Sequence, residues 1–435
     1  MKKLYSTIAY CSAEDGPVAR VILLTACCLL LIVSLFTASI SSAFDLESTS
    51  IAELKKMQYA PDQILVTFKD DVSDSLKDQI HKSLGALRTR KSYGNFYHVV
   101  TVTEGTVNEM VRAYAYNPSV KYAEPDYFRF IYFTPNDEFY SFQWNFPQIN
   151  LPSAWNTSTG SGVIAAVVDT GVNPNGGDDF GGRLIQGHNF VRNTGDSTDD
   201  NGHGTHVAGT IGEETNNLTG CAGVAFNASI LPVKVLNRRG VGYSSNINDG
   251  IRWAADNGAD VINLSLGSST SSQTEEDAIN YAYNNGVVIC ASSGNESANT
   301  IDYPAAYENC IAVGATRYDK RLAPYSNTGD ALDVVAPGGD ISVDQNHDDK
   351  PDGILQETFA RFLFRYYWDY YYFQGTSMAS PHVAGVAALV ISIHPTYTPA
   401  QVRNAIQSSA QDLGDPGWDP EFGWGLIDAN AALNK

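Results

Sequence analysis

Cysteine and basic residues are scarce in this chain, and each shortage excludes a class of protein. Six of the 435 residues are cysteine, and three of those six lie within the first 28 positions. Cys221, Cys290 and Cys310 remain, an odd and widely spaced set, so we expect buried free thiols and no disulfide framework. Only 28 residues are basic against 48 acidic, and the net charge of −20 argues against a nucleic-acid-binding protein.

Short motifs of two enzyme classes are missing as well. The stretch after the first strongly apolar strand reads "DTGVNPNGG" instead of G-x-G-x-x-G, and the chain has no P-loop, which argues against a nucleotide-binding enzyme. His203 and His206 lie three positions apart without the glutamate of an H-E-x-x-H motif, which argues against a catalytic zinc. We therefore expect chemistry that requires no cofactor.

The longest uninterrupted apolar run is confined to the N-terminus, where residues 21–36 read "VILLTACCLLLIVSLF". Basic residues precede this run and small residues ending at Ala43 follow it, which is typical of an export signal. An uncleaved membrane anchor is the alternative, although the run is somewhat short for a membrane span. Residues 1–43 are therefore predicted to be a signal peptide or an anchor. The protein is predicted to be secreted, or else membrane-anchored and facing outside the cytoplasm.

Residues 44–130 are predicted to hold a spacer and one small domain. Residues 44–60 are polar and helix-prone and form the spacer. From residue 61 to residue 130, strand-like and helical patterns follow in the order β-α-β-β-α-β, beginning with "DQILVTFK" and "SDSLKDQIHKSLGA". A unit of this size buries only a marginal core. We expect a small α+β, ferredoxin-like domain that gains stability by docking on a partner.

The pattern changes from Thr134 onward, where short, continuously apolar strands alternate with helical stretches. The strands include "VIAAVVD", "DVINLSL" and "GVVICASS", and the amphipathic stretch "SSNINDGIRWAADNG" lies between two strands. Continuous rather than alternating apolarity is typical of strands that are buried on both faces. We therefore predict an α/β fold with a mostly parallel sheet and helices on both faces.

Four polar side chains stand at strand ends or helix starts in this region. Asp169 ends "AAVVD", His203 precedes a small-residue helix in "DNGHGTHVAG", and Ser377 begins an apolar helix in "GTSMASPHVAG". A serine hydroxyl needs an imidazole to take its proton, and the imidazole needs a carboxylate to fix its tautomer. The order Asp, His, Ser therefore predicts a catalytic triad. Asn295 at the end of "CASSGN" adds an amide that can donate to an oxyanion.

Together these motifs resemble the subtilisin-like serine proteases, or subtilases, and in particular their thermitase-like branch. The resemblance runs from about Thr134 to the end of the chain, with "DTGV", "HGTHVAGTI", "SSGN" and "GTSMASPHVAG" in that order. It implies a serine endopeptidase with Asp169, His203 and Ser377 as the triad, and with Asn295 and the backbone N–H of Ser377 as oxyanion donors. It also implies a set of cleft residues: Ser265, Leu266, Gly267, Ala291, Ser292, Ser293 and Gly294 around the P1 side chain and substrate backbone, and Tyr243 as the wall of a more distant subsite.

Residues 61–130 are similar to the inhibitor-type propeptides of the same family. The resemblance implies a zymogen whose propeptide helps the peptidase domain, residues 131–435, to fold and plugs its cleft until a cut between Asp126 and Thr134. The implied partners are protein or peptide substrates and the chain's own propeptide, and the implied assembly is a monomer. A membrane is a partner only if the leader stays uncleaved. A catalytically silent binding protein of the same fold is the alternative, and the complete triad argues against it.

Acidic loops in the peptidase region indicate structural calcium, because hard oxygen ligands suit this ion. The resemblance implies one site with side-chain oxygens from Asp137, Asp179 and Asn217 and carbonyl oxygens from Glu214, Thr219 and Cys221, with Asp178 as the alternative to Asp179. A second candidate is "DQNHDDKPDG", in which Asp344, Asn346, Asp348 and Asp352 occupy positions 1, 3, 5 and 9 of a loop-type motif. Position 6 is Asp349 rather than glycine and position 12 is Leu355 rather than glutamate, so a solvated acidic loop is the alternative.

The tract "FLFRYYWDYYYF" at residues 362–373 is the most biased stretch of the chain. Alternating aromatic residues are common in strands, and we predict one half of a strand pair here. A membrane-surface or substrate-binding patch is the alternative. The neighbouring Thr376, Ser380, His206 and His382 are assigned structural roles, with the Ser380 hydroxyl bonding back to its own helix.

Overall fold

The computed structural model describes residues 44–49, 51–129, 133–176, 180–362 and 365–435. The described residues form two compact units, which divide between residues 130 and 131. The predicted signal or anchor at residues 1–43 lies outside the described residues, and so do Asp178 and Asp179.

The N-terminal unit has the predicted β-α-β-β-α-β order behind one additional helix. Its elements are α1 (Ile51–Met57), β1 (Tyr59–Phe68), α2 (Asp74–Ser83), β2 (Arg88–Lys91), β3 (His98–Thr101), α3 (Val107–Ala115) and β4 (Val120–Tyr127). The four strands form an antiparallel sheet in the order β2-β3-β1-β4. Helix α1 and the start of β1 fall inside the segment predicted as a spacer, where Leu54 and Ala60 are buried.

Local sequence signals account for most of these elements. Burial along the first part of β1 alternates residue by residue, as expected for a strand with one face against helices. Helix α2 begins where the Ser73 side chain accepts the backbone N–H of Leu76, and Gly85 follows its end with a φ of 78°. Strand β2 is the exposed tetrapeptide "RTRK", and its lack of apolar alternation gave no sequence signal for its position.

A buried polar cluster stands in the core of this unit. His81 Nδ1 lies 2.9 Å from the Tyr114 hydroxyl, and His81 Nε2 lies 2.8 Å from His98 Nδ1. The Phe68 ring meets both imidazoles edge-on, at centroid distances of 5.3 and 5.4 Å. Burial, with a smaller contribution from the charge of His98, lowers the pKa of His81 to about 4. Burial also lowers the pKa of His98.

We expect the free energy of unfolding of the N-terminal unit to fall as the pH drops below about 6.5. The unfolded chain then takes up protons at His81 and His98, whereas the folded core keeps His81 neutral down to about pH 4. Hydrogen exchange of β1 and β3, corrected for the intrinsic rate, should accelerate roughly 20-fold between about pH 7 and about pH 5 in a Ser377→Ala chain. His81→Leu should lose most of this pH dependence, and an equal dependence in both chains would contradict the assignment.

The C-terminal unit is built on a seven-stranded sheet. Its strands are β5 (Ile164–Asp169), β6 (His188–Asn189), β7 (Ser229–Lys234), β8 (Val261–Leu264), β9 (Val288–Ser292), β10 (Ile311–Thr316) and β11 (Val334–Pro337), and a separate hairpin adds β12 (Ile354–Phe362) and β13 (Arg365–Phe373). The sheet order is β11-β10-β9-β8-β5-β7-β6, and its pairings are parallel. The predicted α/β fold is thus confirmed, although the two-residue edge strand β6 carried no sequence signal.

A buried helix lies beneath this sheet. The helices of the unit are α4 (Asn145–Gln148), α5 (Leu151–Ala154), α6 (His203–Gly212), α7 (Ser244–Asp256), α8 (Gln273–Asn284), α9 (Thr376–Ile393), α10 (Pro399–Ser409) and α11 (Ala429–Ala432). Helix α9 contacts α6 and strands β8 to β11. It is long and apolar enough to cross a membrane, but 78% of its 18 residues are buried inside the unit. A helix that is apolar on all sides is expected to be buried in this way. The three cysteines of the unit are buried, and none of them forms a disulfide within the described residues, as predicted.

The aromatic tract forms the strand pair that its alternation predicted, because β12 and β13 pair in register along their length. His206 of α6 holds the base of this hairpin. Its Nε2 lies 3.0 Å from the Ile354 carbonyl oxygen and 3.2 Å from that of Tyr371, and its ring stacks on Phe373 at 4.4 Å. Burial lowers the pKa of His206 to about 3, so this side chain is a neutral structural donor.

Candidate active site

The carboxylate that ends β5 meets the imidazole that begins α6. His203 Nδ1 lies 2.8 Å from Asp169 Oδ1 and 3.0 Å from Asp169 Oδ2. The Asp169 side chain is fully buried, whereas the His203 side chain keeps 27% of its surface exposed. An ionised carboxylate only accepts hydrogen bonds, so Nδ1 carries the proton and Nε2 is left as an acceptor. This is the tautomer that a general base requires.

A second buried carboxylate, Asp199, sets the start of α6. It accepts hydrogen bonds of 2.8–3.1 Å from the turn before the helix and from both the N–H and the hydroxyl of Thr205. Burial alone would lower the pKa of His203, but the charge and hydrogen bond of Asp169 and the charge of Asp199 together outweigh burial and raise it. Sequence reasoning missed Asp199, although an aspartate just ahead of a helix is a recognisable capping signal.

The hydroxyl of Ser377 stands at the second position of α9. Gly375 precedes it with a φ of 147°, where a side chain would be strained. Ser377 Oγ donates to the Ser265 carbonyl oxygen at 3.3 Å, and Ser265 Oγ donates to the Ser377 carbonyl oxygen at 2.7 Å. Within the described residues no hydrogen bond joins Ser377 Oγ to His203. Such contacts are often long before a substrate binds.

The end of β8 is fixed beside Ser377 by a chain of side-chain hydrogen bonds. The Ser380 hydroxyl, predicted to bond back to its own helix, instead donates to Asn263 Oδ1 at 2.8 Å. Asn263 Nδ2 donates in turn to Ser265 Oγ at 2.9 Å. The prediction for Ser380 is wrong because β8 places an amide oxygen within reach of the hydroxyl, and sequence alone does not show this neighbour.

The amide of Asn295 is oriented by the residue before Ser377. The Thr376 backbone N–H donates to Asn295 Oδ1 at 2.9 Å, and the Thr376 hydroxyl lies 3.0 Å from the same oxygen. A backbone N–H can only donate, so the amide oxygen faces Thr376 and Asn295 Nδ2 is left as the donor. Asn295 is exposed, so this donor is accessible to a ligand. The structure thus gives Thr376 a positioning role toward Asn295.

A cavity of about 720 Å³ opens beside His203 and is lined by one group of predicted cleft residues, Ser265, Leu266 and Gly267. The other group is not part of its lining and is buried at the end of β9: Ala291, Ser292, Ser293 and Gly294. Tyr243 is 79% exposed, and its neighbours Gly242 and Ser244 line the cavity although Tyr243 does not.

The first predicted calcium set is only partly described. The Asp137 carboxylate accepts the backbone N–H of Asn216 at 2.8 and 2.9 Å. Asn217 Oδ1 accepts the backbone N–H of Thr219 at 2.8 Å. Two further members, Glu214 and Cys221, flank this loop, and Asp179 lies outside the described residues.

The second set forms a compact acidic loop. Asp344 Oδ1 and Asn346 Oδ1 accept the backbone N–H of Asp348 at 3.2 and 3.1 Å. Asp352 is 1% exposed, and its Oδ1 has no hydrogen-bond partner among the described residues. Burial and the charges of Asp344 and Asp348 raise the pKa of Asp352. Across the part of the chain that the structure describes, no three histidine, cysteine or acidic side chains converge as metal ligands.

Comparison with protein families identifies both units. A model of the subtilase family matches residues 160–425, and a model of the fervidolysin N-terminal prodomain matches residues 46–126. A thermophilic serine proteinase of Bacillus sp. (strain AK1) is 40% identical over 383 residues, which cover 87% of this chain and 89% of the relative. Subtilisin Savinase of Lederbergia lenta is 41% identical over 293 residues, which cover 67% of this chain and 98% of the relative.

Solved structures agree with these matches. A protease of Pseudoalteromonas arctica PAMC 21717 is 36% identical with a TM-score of 0.64, and the match covers 69% of this chain and 99% of that one. Fervidolysin of Fervidobacterium pennivorans, described as a keratinolytic enzyme related to subtilisin, is 28% identical with a TM-score of 0.61. That match covers 87% of this chain and 61% of fervidolysin.

Proposed function

The chain belongs to the subtilase family of serine peptidases, and on this premise we propose that it is an exported, monomeric endopeptidase made as a zymogen. In this proposal residues 61–130 are the inhibitory propeptide and residues 131–435 are the peptidase domain. The observation that carries it is the 2.8 Å contact between His203 Nδ1 and Asp169 Oδ1. His203 lines a cavity together with Ser265, whose carbonyl oxygen accepts the Ser377 hydroxyl. Export rests on the leader sequence at residues 1–43.

The proposed mechanism gives each of these groups one role. Ser377 Oγ attacks the peptide carbonyl carbon and gives its proton to His203 Nε2, while Asp169 stabilises the imidazolium. The negative charge on the carbonyl oxygen is met by Asn295 Nδ2 and the backbone N–H of Ser377 at the start of α9. His203 then protonates the leaving amine, and a water molecule, activated by the same imidazole, hydrolyses the acyl-enzyme.

Ser265, Leu266 and Gly267 are proposed to contact the substrate ahead of the scissile bond, because they line the cavity beside His203. Ala291, Ser292, Ser293, Gly294 and Tyr243 remain proposals from the family resemblance.

Autoprocessing tests the proposed function. The purified full chain should cleave casein and yield a new N-terminus between Asp126 and Thr134, found by N-terminal sequencing. A matched His203→Ala chain should remain full-length and inactive. If the unaltered chain stays intact and cleaves nothing, the proposal fails in favour of a silent binding protein of the same fold.

Calcium is proposed as a structural ion that takes no part in the catalytic steps. Asp344, Asn346, Asp348 and Asp352 offer only oxygen ligands, and the unpartnered Asp352 Oδ1 fits a bound cation. A cation would also offset the mutual repulsion of the three carboxylates. The first set, including Asp137, Asn217, Glu214, Thr219 and Cys221, is proposed on the family resemblance.

Removal of calcium is expected to lower the melting temperature of the peptidase unit, because a ligand that binds only the folded state stabilises it. The measurement is the thermal midpoint with and without a chelator in an inactive Ser377→Ala background. In Asp352→Asn the chelator should lower the melting temperature by less than it does in the parent chain. In Asp330→Asn, a change at an exposed residue, the chelator should lower it by the same amount as in the parent chain. A midpoint that does not respond to the chelator would exclude both sites.

A further inference from the structure

We propose that Glu275 makes the catalytic cleft selective for a lysine or arginine side chain of the substrate on the N-terminal side of the scissile bond. The proposal rests on the proposed function, because it assigns one wall of the same cleft. Glu275 lies in the first turn of α8 and lines the cavity of about 720 Å³ that also borders His203 and Ser265. The side of the scissile bond follows from Ser265, Leu266 and Gly267, which are proposed to contact that part of the substrate.

The Glu275 carboxylate is buried with little compensation. The residue is 7% exposed. Its Oε2 lies 3.2 Å from the Tyr307 hydroxyl, but the same hydroxyl lies 2.9 Å from the Ser272 carbonyl oxygen and has one proton to donate. Among the described residues no salt bridge joins Glu275 to a cationic side chain, and burial raises the pKa of Glu275. The attraction between a carboxylate and an incoming cation is stronger when the carboxylate is buried, as here, than when it is exposed to water.

A structural role in the helix does not account for this carboxylate. Ser272-x-x-Glu275 has the sequence of a capping box, in which the glutamate would accept the backbone N–H of the N-cap serine. In the structure the Ser272 N–H donates instead to the Tyr307 hydroxyl at 2.8 Å, and the N-cap forms no side-chain capping bond. The Glu275 carboxylate therefore makes no capping bond and lines the cavity. The dipole at the helix N-terminus stabilises its negative charge only modestly.

Among the side chains that line the cavity, no other carries a negative charge, and no buried positive charge offsets that of Glu275. Arg239 also lines the cavity, but its side chain is exposed, so water and salt screen its repulsion of a cationic group. His203 must be neutral to act as the base. The remaining side chains of the lining carry no charge: they are apolar or bear hydroxyl groups, as at Leu266, Thr270 and Tyr303, apart from the amide of Asn201. Glu275 is thus the acidic group of this lining within the described residues, and a single buried acid gives charge selectivity.

The test compares peptide pairs that carry either lysine or norleucine, a chain of similar shape without charge, at each of the four positions before the scissile bond. At one of these positions the unaltered enzyme should prefer lysine by about tenfold or more in kcat/KM. In Glu275→Gln and Glu275→Leu the ratio of kcat/KM for the lysine peptide to that for the norleucine peptide should fall to about one or below. Glu276→Gln, which removes the same charge from the next residue outside the cavity lining, should keep it.

The outcomes separate this proposal from the proposed function. An unaltered enzyme that cleaves both peptides of every pair equally well overturns the assignment of Glu275 without any variant, and leaves the peptidase function standing. A lysine preference that survives in both Glu275 variants overturns it too. Absence of cleavage, together with absence of labelling by a fluorophosphonate, overturns the peptidase function and this proposal with it.

Discussion

Replacement of Ser377 by alanine is expected to lower kcat/KM by about six orders of magnitude, the scale of loss known for the nucleophile of subtilisin itself. The alanine removes the atom that forms the acyl bond, while α9 and the hydrogen bond from Ser265 Oγ to the residue 377 carbonyl oxygen stay in place. Substrate affinity should therefore change little. The measurement is kcat/KM on a chromogenic peptide, with the melting temperature recorded to show that the fold is kept.

Ser392→Ala is the matched control for this variant. Ser392 lies near the end of the same helix and donates to the Ser161 carbonyl oxygen, remote from the cavity residues. Its activity should stay within about twofold of the unaltered enzyme. If Ser377→Ala retains activity above one per cent, the nucleophile has been assigned to the wrong residue.

Loss of the Asn295 donor should be the second largest effect. Removal of one oxyanion donor costs about 10²- to 10³-fold in kcat, and KM should change little because the charge develops only in the transition state. Asn295→Ala removes both ends of the amide. Asn295→Asp is the sharper variant, because its carboxylate still accepts from the Thr376 N–H but has no proton to donate.

The two variants distinguish an oxyanion donor from a loop support. A donor role predicts that Asn295→Asp loses at least as much kcat as Asn295→Ala, since it also brings a negative charge to the site. A supporting role through Thr376 predicts that aspartate rescues the alanine defect. Asn299→Ala, an exposed position in the same loop, should behave as the unaltered enzyme.

The sequence predicted the site well where chemistry follows from position along a strand or helix. Asp169 ends a continuously apolar strand and His203 begins a helix, and their side chains meet at 2.8 Å because both lie at the carboxyl edge of one parallel sheet. Position at a strand end or a helix start does not predict which side chains of separate elements will contact each other. The bond from Ser380 to Asn263 and the cavity face of Glu275 depend on how α9 and α8 pack, which no local pattern records.

Strands without apolar content could not be located from the sequence, for a related reason. Strand β2 is exposed along its length and pairs through its backbone with β3, so its side chains carry no signal of burial. The two-residue strand β6 is too short to show any period. The sequence also gave no sign of the buried imidazole pair of His81 and His98. These residues are seventeen positions apart, and only the packing of α2 against β3 brings their side chains together.

The central claim is that Ser377 is a nucleophile activated by His203 and Asp169. Labelling with a fluorophosphonate, followed by mass spectrometry of the digested protein, tests it most directly. We predict a single modified peptide that contains Ser377, and no label when His203 is replaced by alanine. A chain that remains unlabelled, or a label on Ser265 or Ser380 in place of Ser377, would contradict the account.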